Sequence, residues 1–522
     1  MLRGAVLLGV AASACAFSSV FPASSTMVPR RSTTATRSLR TSVKMMDVDA
    51  GQVRAGMVKD VLVIGCGPSG MAQVNALAGV DEVNVRCFEM NDEIGGLWTW
   101  TDKVGDCHGS MYRYHQTNGL NEFLEFENYS FLEHFGHLIT SYPPRAVMLD
   151  YLKGWTRKMG GDRFVTLNRK VTSVVYDDET SKFTVVSHDT KTDARHLDYF
   201  DNVVVCNGHF SVPNWVPPFK GMSDYKGMVI HAHSFRDAQD FQGMDVMLVG
   251  NGYSGEDIAM QCVKFGAKSA TITYRSQPAH AESGFLDWPI TERKLPTHFD
   301  AASGEFKFAE GQGLKPDAVI YCTGYKHTFP FLSEPLQLRT PNRLVPNTLW
   351  KGIVHPDNTK LYFVGMPDQY YTFTMFFAQA IFVKGCLEGK VAFPSKAEML
   401  SDTAAWQVKE DEAHASGEHA QHHQLQLAHT NDACSLVGYK MRDDGDLLCQ
   451  WQDDRHRNIL KYRDCTAPSK VDGTVSLVYN VPWTQMFTDD KVSYLAWCKS
   501  QTQELVKAGT ITLPQLAAPR AG

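Results

Sequence analysis

The 522-residue chain lacks several features that would point to common classes of protein. Its twelve cysteines include no C-x-x-C pair, which argues against zinc ribbons, iron–sulfur clusters and redox-active dithiols. Its formal net charge is −6 and it has no basic stripe, so nucleic acid is not expected as a partner. It also has no apolar run of about 18 residues, so no membrane anchor is expected in the mature chain.

The N-terminal leader lacks acidic residues from Met1 to Met46. An apolar run at 4–17 has the length of a signal-peptide core, and a Ser-, Thr- and Arg-rich stretch at 18–42 has the composition of a transit peptide. Residues 1–55 are therefore predicted to be a disordered leader that resembles a bipartite plastid-targeting sequence. Secretion or another organelle is the alternative.

A first glycine-rich turn follows the apolar run DVLVI, with Gly65, Gly67 and Gly70 in a G-x-G-x-x-G pattern. In this pattern the first glycine allows a tight turn, the second lets backbone approach a pyrophosphate, and the third lets helix and strand pack closely. A second apolar run ends in Glu89, nineteen residues after Gly70. A carboxylate at that place accepts hydrogen bonds from ribose hydroxyls. The order of strand, turn, helix, strand and acid predicts a dinucleotide site, with Ser69 inside the turn.

A second turn of the same kind follows MDVMLV and contains Gly250, Gly252 and Gly255. The next apolar run ends in Arg275, twenty residues after Gly255. A guanidinium in that place can bind a 2′-phosphate, which predicts NADPH as the second dinucleotide, whereas the alternative is a surface arginine at a strand end. The full set of glycines suggests a close approach of backbone to pyrophosphate.

Two acids and two histidines are expected to have structural roles and not catalytic or metal-binding ones. Glu256 and Asp257 lie just inside the helix after the second turn, where they complement its dipole. His419 and His423 lie one helical turn apart in a histidine-rich segment, but no recognised metal spacing accompanies them. A solvated helix face is expected there, and no metal site is predicted.

The stretch between the turns contains Tyr225, Gly227, His231 and Phe235 in the spacing Y-x-G-x-x-x-H-x-x-x-F. This resembles the FxGxxxHxxxY motif of flavin-containing monooxygenases, with the two aromatic residues exchanged. His231 either positions the domains or takes part in the chemistry. The segment MNDEIGGLWTW after Glu89 resembles the FAD-binding turn of the same family, so the first dinucleotide is expected to be FAD.

Longer stretches extend this resemblance over most of residues 58–500. The segments at 108–152, 325–332, 342–380 and 458–469 look like the corresponding parts of bacterial trimethylamine monooxygenases. By position, Asn118 matches the active-site asparagine beside the flavin and the nicotinamide. The cofactor contacts that the resemblance implies are Leu97, Trp98, His108, Val171 and Gln369 for FAD, and Tyr253, Ser254, Arg275 and Ser276 for NADP.

The sequence and the resemblance together predict an α/β fold with two Rossmann-like dinucleotide-binding domains, an FAD domain with an inserted NADPH domain, followed by C-terminal helices. A Thr-Gly-Tyr turn at 323–325 is expected to be a hinge between them. The C-terminal helices pack either on the flavin domain or on a second subunit, so a homodimer stays open. The predicted parts are a leader (1–55), FAD domain (56–215), NADPH domain (216–328), FAD domain again (329–395) and C-terminal helices (396–522).

The resemblance implies an NADPH-dependent flavin monooxygenase that uses O2 and oxygenates a soft nucleophile through a C4a-hydroperoxyflavin. The substrate is expected to be a small tertiary amine such as trimethylamine or a sulfide such as dimethyl sulfide. Ile381 stands where the bacterial enzymes carry a tryptophan, which removes an aromatic ring from the expected substrate cavity. A Baeyer–Villiger oxygenase and a non-catalytic flavin-binding scaffold are the alternatives.

Overall fold

In the computed structural model, the structure describes residues 58–105, 108–280, 288–479, 482–483 and 489–514. The predicted leader, residues 1–55, lies outside these ranges. From Val58 onward the chain forms one compact unit that contains all the sheets and helices discussed below.

The first sheet has five parallel strands in the order β3-β2-β1-β7-β15. The central strand is apolar on both faces, as expected for a parallel strand covered on both sides. Val61 and Val63 point into one core, and Leu62 and Ile64 point into another. The strands are β1 (Lys59–Ile64), β2 (Val83–Phe88), β3 (Val165–Thr166), β7 (Asn202–Val205) and β15 (Leu361–Phe363).

Helices cover one face of this sheet and a small antiparallel sheet covers the other. Helix α1 (Pro68–Leu77) packs against α6 (Phe373–Leu387), whose residues are apolar on nearly every side. The antiparallel sheet buries Phe183 and Phe200 against Leu62 and Ile64. Its strands are β4 (Arg169–Asp177), β5 (Lys182–Asp189) and β6 (Arg195–Phe200).

The second large sheet also has five parallel strands, in the order β11-β10-β9-β14-β8. Helix α5 (Tyr253–Lys264) packs against its central strands. This repeat of the first sheet confirms the predicted α/β fold with two Rossmann-like units. The strands are β8 (Met228–His231), β9 (Asp245–Val249), β10 (Ser269–Tyr274), β11 (Thr291–Lys294) and β14 (Ala318–Tyr321), with a hairpin of β12 (His298–Asp300) and β13 (Glu305–Lys307) beside them.

Two crossovers join the sheets, and they are hydrogen-bonded to each other. The backbone N–H of Asn214 donates to the carbonyl of Gly324 at 2.9 Å. The hydroxyl of Thr323 donates to the carbonyl of Asn214 at 2.7 Å, and the Asn214 amide donates back to Thr323 at 3.2 Å. The Thr-Gly-Tyr turn is therefore hydrogen-bonded to the outgoing crossover.

The helices of the C-terminal region pack on other parts of the same chain. Helix α8 contacts α6 and α7, and the hydroxyl of Tyr494 on α10 lies 2.9 Å from that of Thr140. No helix among the described residues is long and apolar enough to cross a membrane. The helices are α2 (Asn121–Leu124), α3 (Phe131–Phe135), α4 (Arg145–Met159), α7 (Lys396–Ser416), α8 (His419–Ser435), α9 (Gly445–Arg457) and α10 (Lys491–Lys507).

The histidine-rich segment differs from its prediction. His423 is only 1% exposed, because α8 is covered by neighbouring helices, so a solvated face is the wrong interpretation for this residue. His419 is exposed, as expected. Within the described ranges, no cluster of three or more histidine, cysteine or acidic side chains could hold a metal ion.

A buried carboxylate, Glu125, ties the C-terminal segment to the first domain. It accepts hydrogen bonds from the backbone N–H of Phe131 at 2.7 Å and from the hydroxyl of Ser469 at 2.5 Å. Burial raises its pKa to about 7, against the lowering effect of these hydrogen bonds and of Arg442, while Asp472 adds to the rise. The folded chain therefore binds a proton at Glu125 at higher pH than the unfolded chain does.

We predict that the free energy of unfolding falls as the pH rises from about 4.5 to about 7. The folded state holds the Glu125 proton more tightly than the unfolded state, and this stabilising difference is lost as the pH rises through that range. Replacing Glu125 with Gln should reduce the loss in unfolding free energy between pH 5.5 and pH 8 by about 2 kcal/mol. Urea unfolding at both pH values measures it. The exposed Glu133→Gln variant should keep the wild-type difference, and an unchanged difference in Glu125→Gln would contradict the prediction.

Candidate functional site

The first glycine turn leaves no space for side chains at two of its positions. Gly65 has a φ of +92°, and a Cβ there would lie 2.8 Å from the carbonyl oxygen of Cys206 on the neighbouring strand. A Cβ on Gly70 would lie 2.0 Å from the carbonyl oxygen of Gly65. Gly67 is the N-cap of α1, and no side chain caps that helix. The first N–H groups of α1 therefore stand at the carboxyl edge of the first sheet, where a diphosphate binds.

The predicted Gly-Gly-Leu-Trp loop packs directly on this turn. The N–H of Gly95 donates to the carbonyl of Cys66 at 2.9 Å, and a Cβ on Gly96 would lie 2.6 Å from the Cα of Gly67. Leu97 and Trp98 form a short 3-10 helix immediately after this contact. The loop thus covers the turn, and both predicted FAD residues lie beside it.

His108 lies in the next segment along the same loop. Its neighbour Gly109 approaches the backbone of Leu97, where an added Cβ would be 3.5 Å from the Cα. Partial burial lowers the pKa of His108, and the nearby charges of Lys103 and Arg236 lower it further. The imidazole is therefore neutral near pH 7 and can act as a hydrogen-bonding group or a flat surface.

Glu89 stands at the end of β2, as predicted. Its carboxylate is buried, and it accepts hydrogen bonds from the N–H of Cys66 at 2.7 Å and from the N–H of Asn91 at 2.9 Å. Burial raises its pKa, although these hydrogen bonds oppose the rise. A carboxylate has about four acceptor positions, so Glu89 can still accept a ribose hydroxyl. Val171 lies on β4, two residues after Arg169. The N–H of Arg169 donates to the carbonyl of Glu89 at 2.8 Å, so Val171 lies near this end of β2.

Gln369 comes to the same edge from the far side of the sheet. It lies after β15, and its side-chain amide donates to the carbonyl of Gly365 at 3.3 Å. Gly365 in turn approaches the predicted Ser69, where an added Cβ would be 3.1 Å from the Ser69 Cβ. The structure therefore brings Gln369 and Ser69 to one edge although 300 residues separate them.

The loop that carries Gln369 is held by a residue that the sequence did not suggest. Gln426 on α8 is 2% exposed, and its side-chain oxygen accepts hydrogen bonds from the N–H groups of Tyr370 at 2.9 Å and Tyr371 at 2.8 Å. No local pattern marks a glutamine inside a helix as a loop anchor. Only the packing of α8 on α6 identifies it.

These residues fit a dinucleotide such as FAD. The side-chain oxygens of Asn207, after β7, and Thr372, after the Gln369 loop, are buried without a hydrogen-bond partner in the part of the chain that the structure describes. Buried polar atoms normally have partners, so unpaired ones at a sheet edge are expected where a polar ligand binds. Together with the uncapped α1, they make this edge suitable for the diphosphate and the ring of a bound dinucleotide.

The second glycine turn repeats the first almost contact for contact. Gly250 has a φ of +109°, and a Cβ there would lie 2.5 Å from the carbonyl oxygen of Cys322. A Cβ on Gly255 would lie 2.1 Å from the oxygen of Gly250. Among the residues that the structure describes, a Cβ on Gly252 would meet nothing within 4 Å. The two glycines therefore have different roles. Gly255 allows the helix to pack closely on the turn, whereas Gly252 faces open space.

The predicted NADP residues surround this open space. Tyr253 and Ser254 form the first turn of α5 and are exposed. Arg275 and Ser276 follow β10 and are also exposed, at the same carboxyl edge of the second sheet. The exposed guanidinium of Arg275 fits the anionic 2′-phosphate that the sequence predicts.

Asn118 lies where the two units meet. It is exposed and lines a small cavity together with Tyr253, Tyr462, Arg455 and Arg463. The guanidinium of Arg455 lies 4.7 Å from the centre of the Tyr253 ring. The resemblance implies Asn118 beside the flavin and the nicotinamide and Tyr253 as an NADP contact, and the structure brings the two residues to one cavity.

Both acids beside this cavity do more than complement the dipole of α5. The carboxylate of Glu256 is paired with Arg455, and it lies 2.9 Å from the Nε2 atom of His280. The carboxylate of Asp257 is paired with Arg463 at 3.0 Å. The partners come from segments distant in the chain, so the sequence contains no signal for these ion pairs.

In the family-like motif at 225–235, His231 and Phe235 are buried, whereas Tyr225 is half-buried and Gly227 is exposed. The hydroxyl of Tyr225 donates to the carbonyl of Pro316 at 2.8 Å, and a Cβ on Gly227 would lie 2.6 Å from the carbonyl oxygen of Asp317. Phe235 is buried, 5.2 Å from the ring of Tyr112. These contacts hold the second unit and attach it to the first.

His231 of this motif is buried beneath the crossovers. Its ring lies 5.4 Å from the rings of Trp215 and Tyr325, and its Nδ1 accepts a hydrogen bond from the N–H of His233 at 3.0 Å. Burial, with a further contribution from His233, lowers its pKa to about 4. Its neutral ring is therefore placed to position the crossovers, which favours the positioning role over direct chemistry.

Comparison with known proteins agrees with this architecture. Residues 58–277 match the family model described as flavin-binding monooxygenase-like. Trimethylamine monooxygenase from Roseovarius nubinhibens is 40% identical over 454 residues, which cover 84% of this chain and 100% of that protein. The crystal structure of Tmm from Pelagibacter sp. superposes with a TM-score of 0.78 at 36% identity and covers 83% of this chain and all of that one. S-allyl-L-cysteine S-oxygenase from Allium sativum shares the fold, with a TM-score of 0.69 at 23% identity over 85% of this chain and 99% of that one.

These relatives contradict the predicted localisation. The trimethylamine monooxygenases that match over more than four fifths of the chain come from bacteria, which have no plastids. The plastid prediction rested on composition alone, because Ser-, Thr- and Arg-rich segments without acids are not specific to targeting. The plastid and transit-peptide assignments are therefore wrong.

The matching turns, the shared edge and the full-length similarity lead to one conclusion. The chain belongs to the flavin-binding monooxygenase-like family and is an FAD- and NADPH-dependent monooxygenase.

Proposed function

We propose that the chain oxygenates the nitrogen of a small tertiary amine, with trimethylamine as the reference substrate. The observation that carries this proposal is the 40% identity to a trimethylamine monooxygenase over the whole length of that protein. The exposed side chain of Asn118 supports it, since it lines one cavity with Tyr253 at the start of α5.

The chemistry of oxygen belongs to the cofactors. Bound FAD and NADPH would supply the electrons and the oxygen activation by which one atom of O2 goes to a soft nucleophile and the other to water. The chain's own residues bind, orient and exclude water. The turn at Gly65–Gly70, with Glu89 and Val171, would hold the adenosine diphosphate half of FAD. Leu97, Trp98, His108 and Gln369 would hold its other half.

The second site would hold NADPH through the N–H groups of α5 and the side chains of Ser254, Ser276 and Arg275. Asn118 would use its amide N–H and its carbonyl as donor and acceptor between flavin and nicotinamide. Glu256 and Asp257 are engaged in ion pairs, so neither is available as a proton donor. An oxygen transfer to a lone pair needs no such donor, which agrees with a tertiary amine as substrate.

The sheet to which each strand belongs supports the division predicted from the sequence. In the sequence, strands of the first large sheet come both before and after the strands of the second, as expected for an inserted domain. We therefore keep 56–215 and 329–395 as the FAD domain, 216–328 as the NADPH domain and 396–522 as the C-terminal helical region.

Product analysis with purified, flavin-loaded protein tests the proposed function. With trimethylamine, we expect one trimethylamine N-oxide for each NADPH oxidised, measured by NADPH absorbance and product mass. Dimethyl sulfide, indole and cyclohexanone serve as competing substrates. A lactone from the ketone, with no amine oxide, would favour the Baeyer–Villiger alternative, and NADPH oxidation that yields only H2O2 with all four would place the substrate elsewhere.

The same assay tests Asn118. The Asn118→Ala variant should retain bound FAD, because the residues of the first turn are untouched, yet it should form no amine oxide. Wild-type yields from this variant would refute the assigned role.

The two glycines of the second turn should respond differently to alanine. Gly252→Ala adds a methyl group in open space at a φ of −78°, which alanine adopts easily, so it should leave the melting temperature unchanged and raise the Kd for NADP⁺ by about tenfold, or about 1.4 kcal/mol. Gly255→Ala places a Cβ against the Gly250 oxygen and should cost about 1–3 kcal/mol of stability. Thermal unfolding and calorimetric titration separate the effects, and identical behaviour of the two variants would refute the separation.

Arg275 should decide between the two nicotinamide dinucleotides. Arg275→Met removes charge-assisted hydrogen bonds to a 2′-phosphate, so kcat/KM for NADPH should fall by about a hundredfold, or about 3 kcal/mol. The kcat/KM for NADH should stay within about threefold of wild type, since that dinucleotide has no such phosphate. Arg339→Met, another exposed arginine, serves as the control; equal losses with both dinucleotides would contradict this role.

A further inference from the structure

The carboxylate of Asp257 joins three parts of the chain beside the Asn118 cavity. On α5, it accepts a hydrogen bond from the hydroxyl of Tyr112 and pairs with the Arg463 guanidinium at 3.0 Å. The Nδ1 atom of His115 lies 3.7 Å from the same carboxylate and 3.1 Å from the Tyr112 hydroxyl. One acid of the second unit thus holds the segment that leads to Asn118 and the C-terminal region together.

Arg463 extends this contact to the peptide next to Asn118. Its Nε atom lies 3.4 Å from the carbonyl oxygen of Thr117, a long hydrogen bond, while its Nη2 atom pairs with Asp257. The side chain is only 9% exposed, and it lies over the ring of Tyr462 at 4.8 Å. A guanidinium can make both contacts at once because its donors point in fixed, divergent directions.

Asp257 and Arg463 are both charged near neutral pH. Burial alone would raise the pKa of Asp257, but His115, Arg463 and Tyr112 outweigh it and hold that pKa well below its usual range. The pKa of Arg463 is raised, since Tyr462 and Asp257 outweigh the effect of burial. Neither group exchanges protons near neutrality, so their role is geometric.

The other side of the Asn118 segment is fixed by backbone. The N–H of Thr117 donates to the carbonyl of Pro143 at 3.1 Å, and the N–H of Arg145 donates to the carbonyl of His115 at 2.9 Å. On the side of α5, Gln261 donates to the carbonyl of Tyr114 at 3.2 Å. The segment is therefore held between the first unit and α5.

We propose that Asp257 and Arg463 are positioning residues for Asn118. They couple the NADPH-binding site on α5 to the orientation of the Asn118 amide. This inference rests on the proposed role of Asn118. Asp257 lies one helical turn after Tyr253, so it moves with the N–H groups that would hold the diphosphate. Arg463 links Asp257 to the peptide bond between Thr117 and Asn118, since it contacts both the Asp257 carboxylate and the Thr117 carbonyl.

A double-mutant cycle tests the coupling in the flavin-loaded protein. The variants are Arg463→Met, Asn118→Ala and the two combined, with two readouts: the rate of anaerobic flavin bleaching by NADPH and the Kd for NADP⁺. Arg463→Met should slow bleaching by about tenfold, since a small misplacement of an aligned group costs that much or more. In the Asn118→Ala background it should have no further effect on either readout, because the residue through which it acts is gone.

Several controls keep the outcomes distinct. Arg343→Met removes a guanidinium that pairs with the buried Glu410 at 3.0 Å, away from Asn118, and should leave both readouts unchanged. Arg463→Lys, which can reach only one of the two acceptors, should give an intermediate rate and serves also if the Met variant fails to fold. Asp257→Asn should match Arg463→Met in direction.

Equal, additive losses in both backgrounds would overturn the positioning role and leave the proposed function intact. Wild-type N-oxide formation by Asn118→Ala would overturn the role of Asn118 itself, and the coupling with it. Loss of bound FAD in Arg463→Met, measured by absorbance, would also overturn the inference, because the effect would then come from the flavin site.

Discussion

Both dinucleotide turns depend on one contact, in which a glycine Cα faces the carbonyl oxygen of another glycine. Gly70 faces Gly65 in the first turn and Gly255 faces Gly250 in the second, and a Cβ would come within 2.0 or 2.1 Å of the oxygen. This contact lets a helix begin immediately beyond a buried strand. Its first N–H groups then point across the carboxyl edge of the sheet, where an anion is held without any cationic side chain.

The two turns differ in what covers them, and this difference matches the roles of the two dinucleotides. Over the first turn lies the Gly95–Trp98 loop, so close that a Cβ on Gly67 would touch Gly96 at 3.4 Å. Over the second turn, no atom of the described ranges lies within 4 Å of the corresponding position on Gly252. A covered site suits a prosthetic group that stays bound, and an open one suits a substrate that must leave after each turnover. Two copies of one motif thus differ in how closely the described chain covers them.

Local pattern was enough to predict much of this. Glycine spacing, apolar runs and the residue at the end of the second strand identified both turns, Glu89 and Arg275, because each depends on residues within about thirty positions of one another. The α/β fold with two Rossmann-like units follows from the same local signals. The histidine-rich helix was misjudged, since burial of His423 depends on helices that pack on it from elsewhere in the chain.

The long-range parts of the site had no such signal. Asp257 and Arg463 are 206 positions apart, and Gln426 lies 55 positions from the loop it holds. A buried charge is tolerated only with a partner, but the sequence does not say which of many arginines will be that partner. Resemblance placed Asn118 in the site, whereas only the folded chain shows what fixes the peptide before it.

The distribution of buried carboxylates separates stability from chemistry. Near Asn118, the acids Glu256 and Asp257 are both committed to arginines. Away from the cavity, Glu125 and Asp444 have pKa values raised to about 7 and about 6, chiefly by burial, although Arg442 contacts the Asp444 carboxylate. An acid poised near neutrality usually marks a catalytic site. Here such acids lie where the C-terminal region joins the first domain, and the cavity beside Asn118 is bordered by acids fixed in ion pairs. That arrangement suits a reaction in which the enzyme must hold geometry and needs no carboxylic acid to supply a proton.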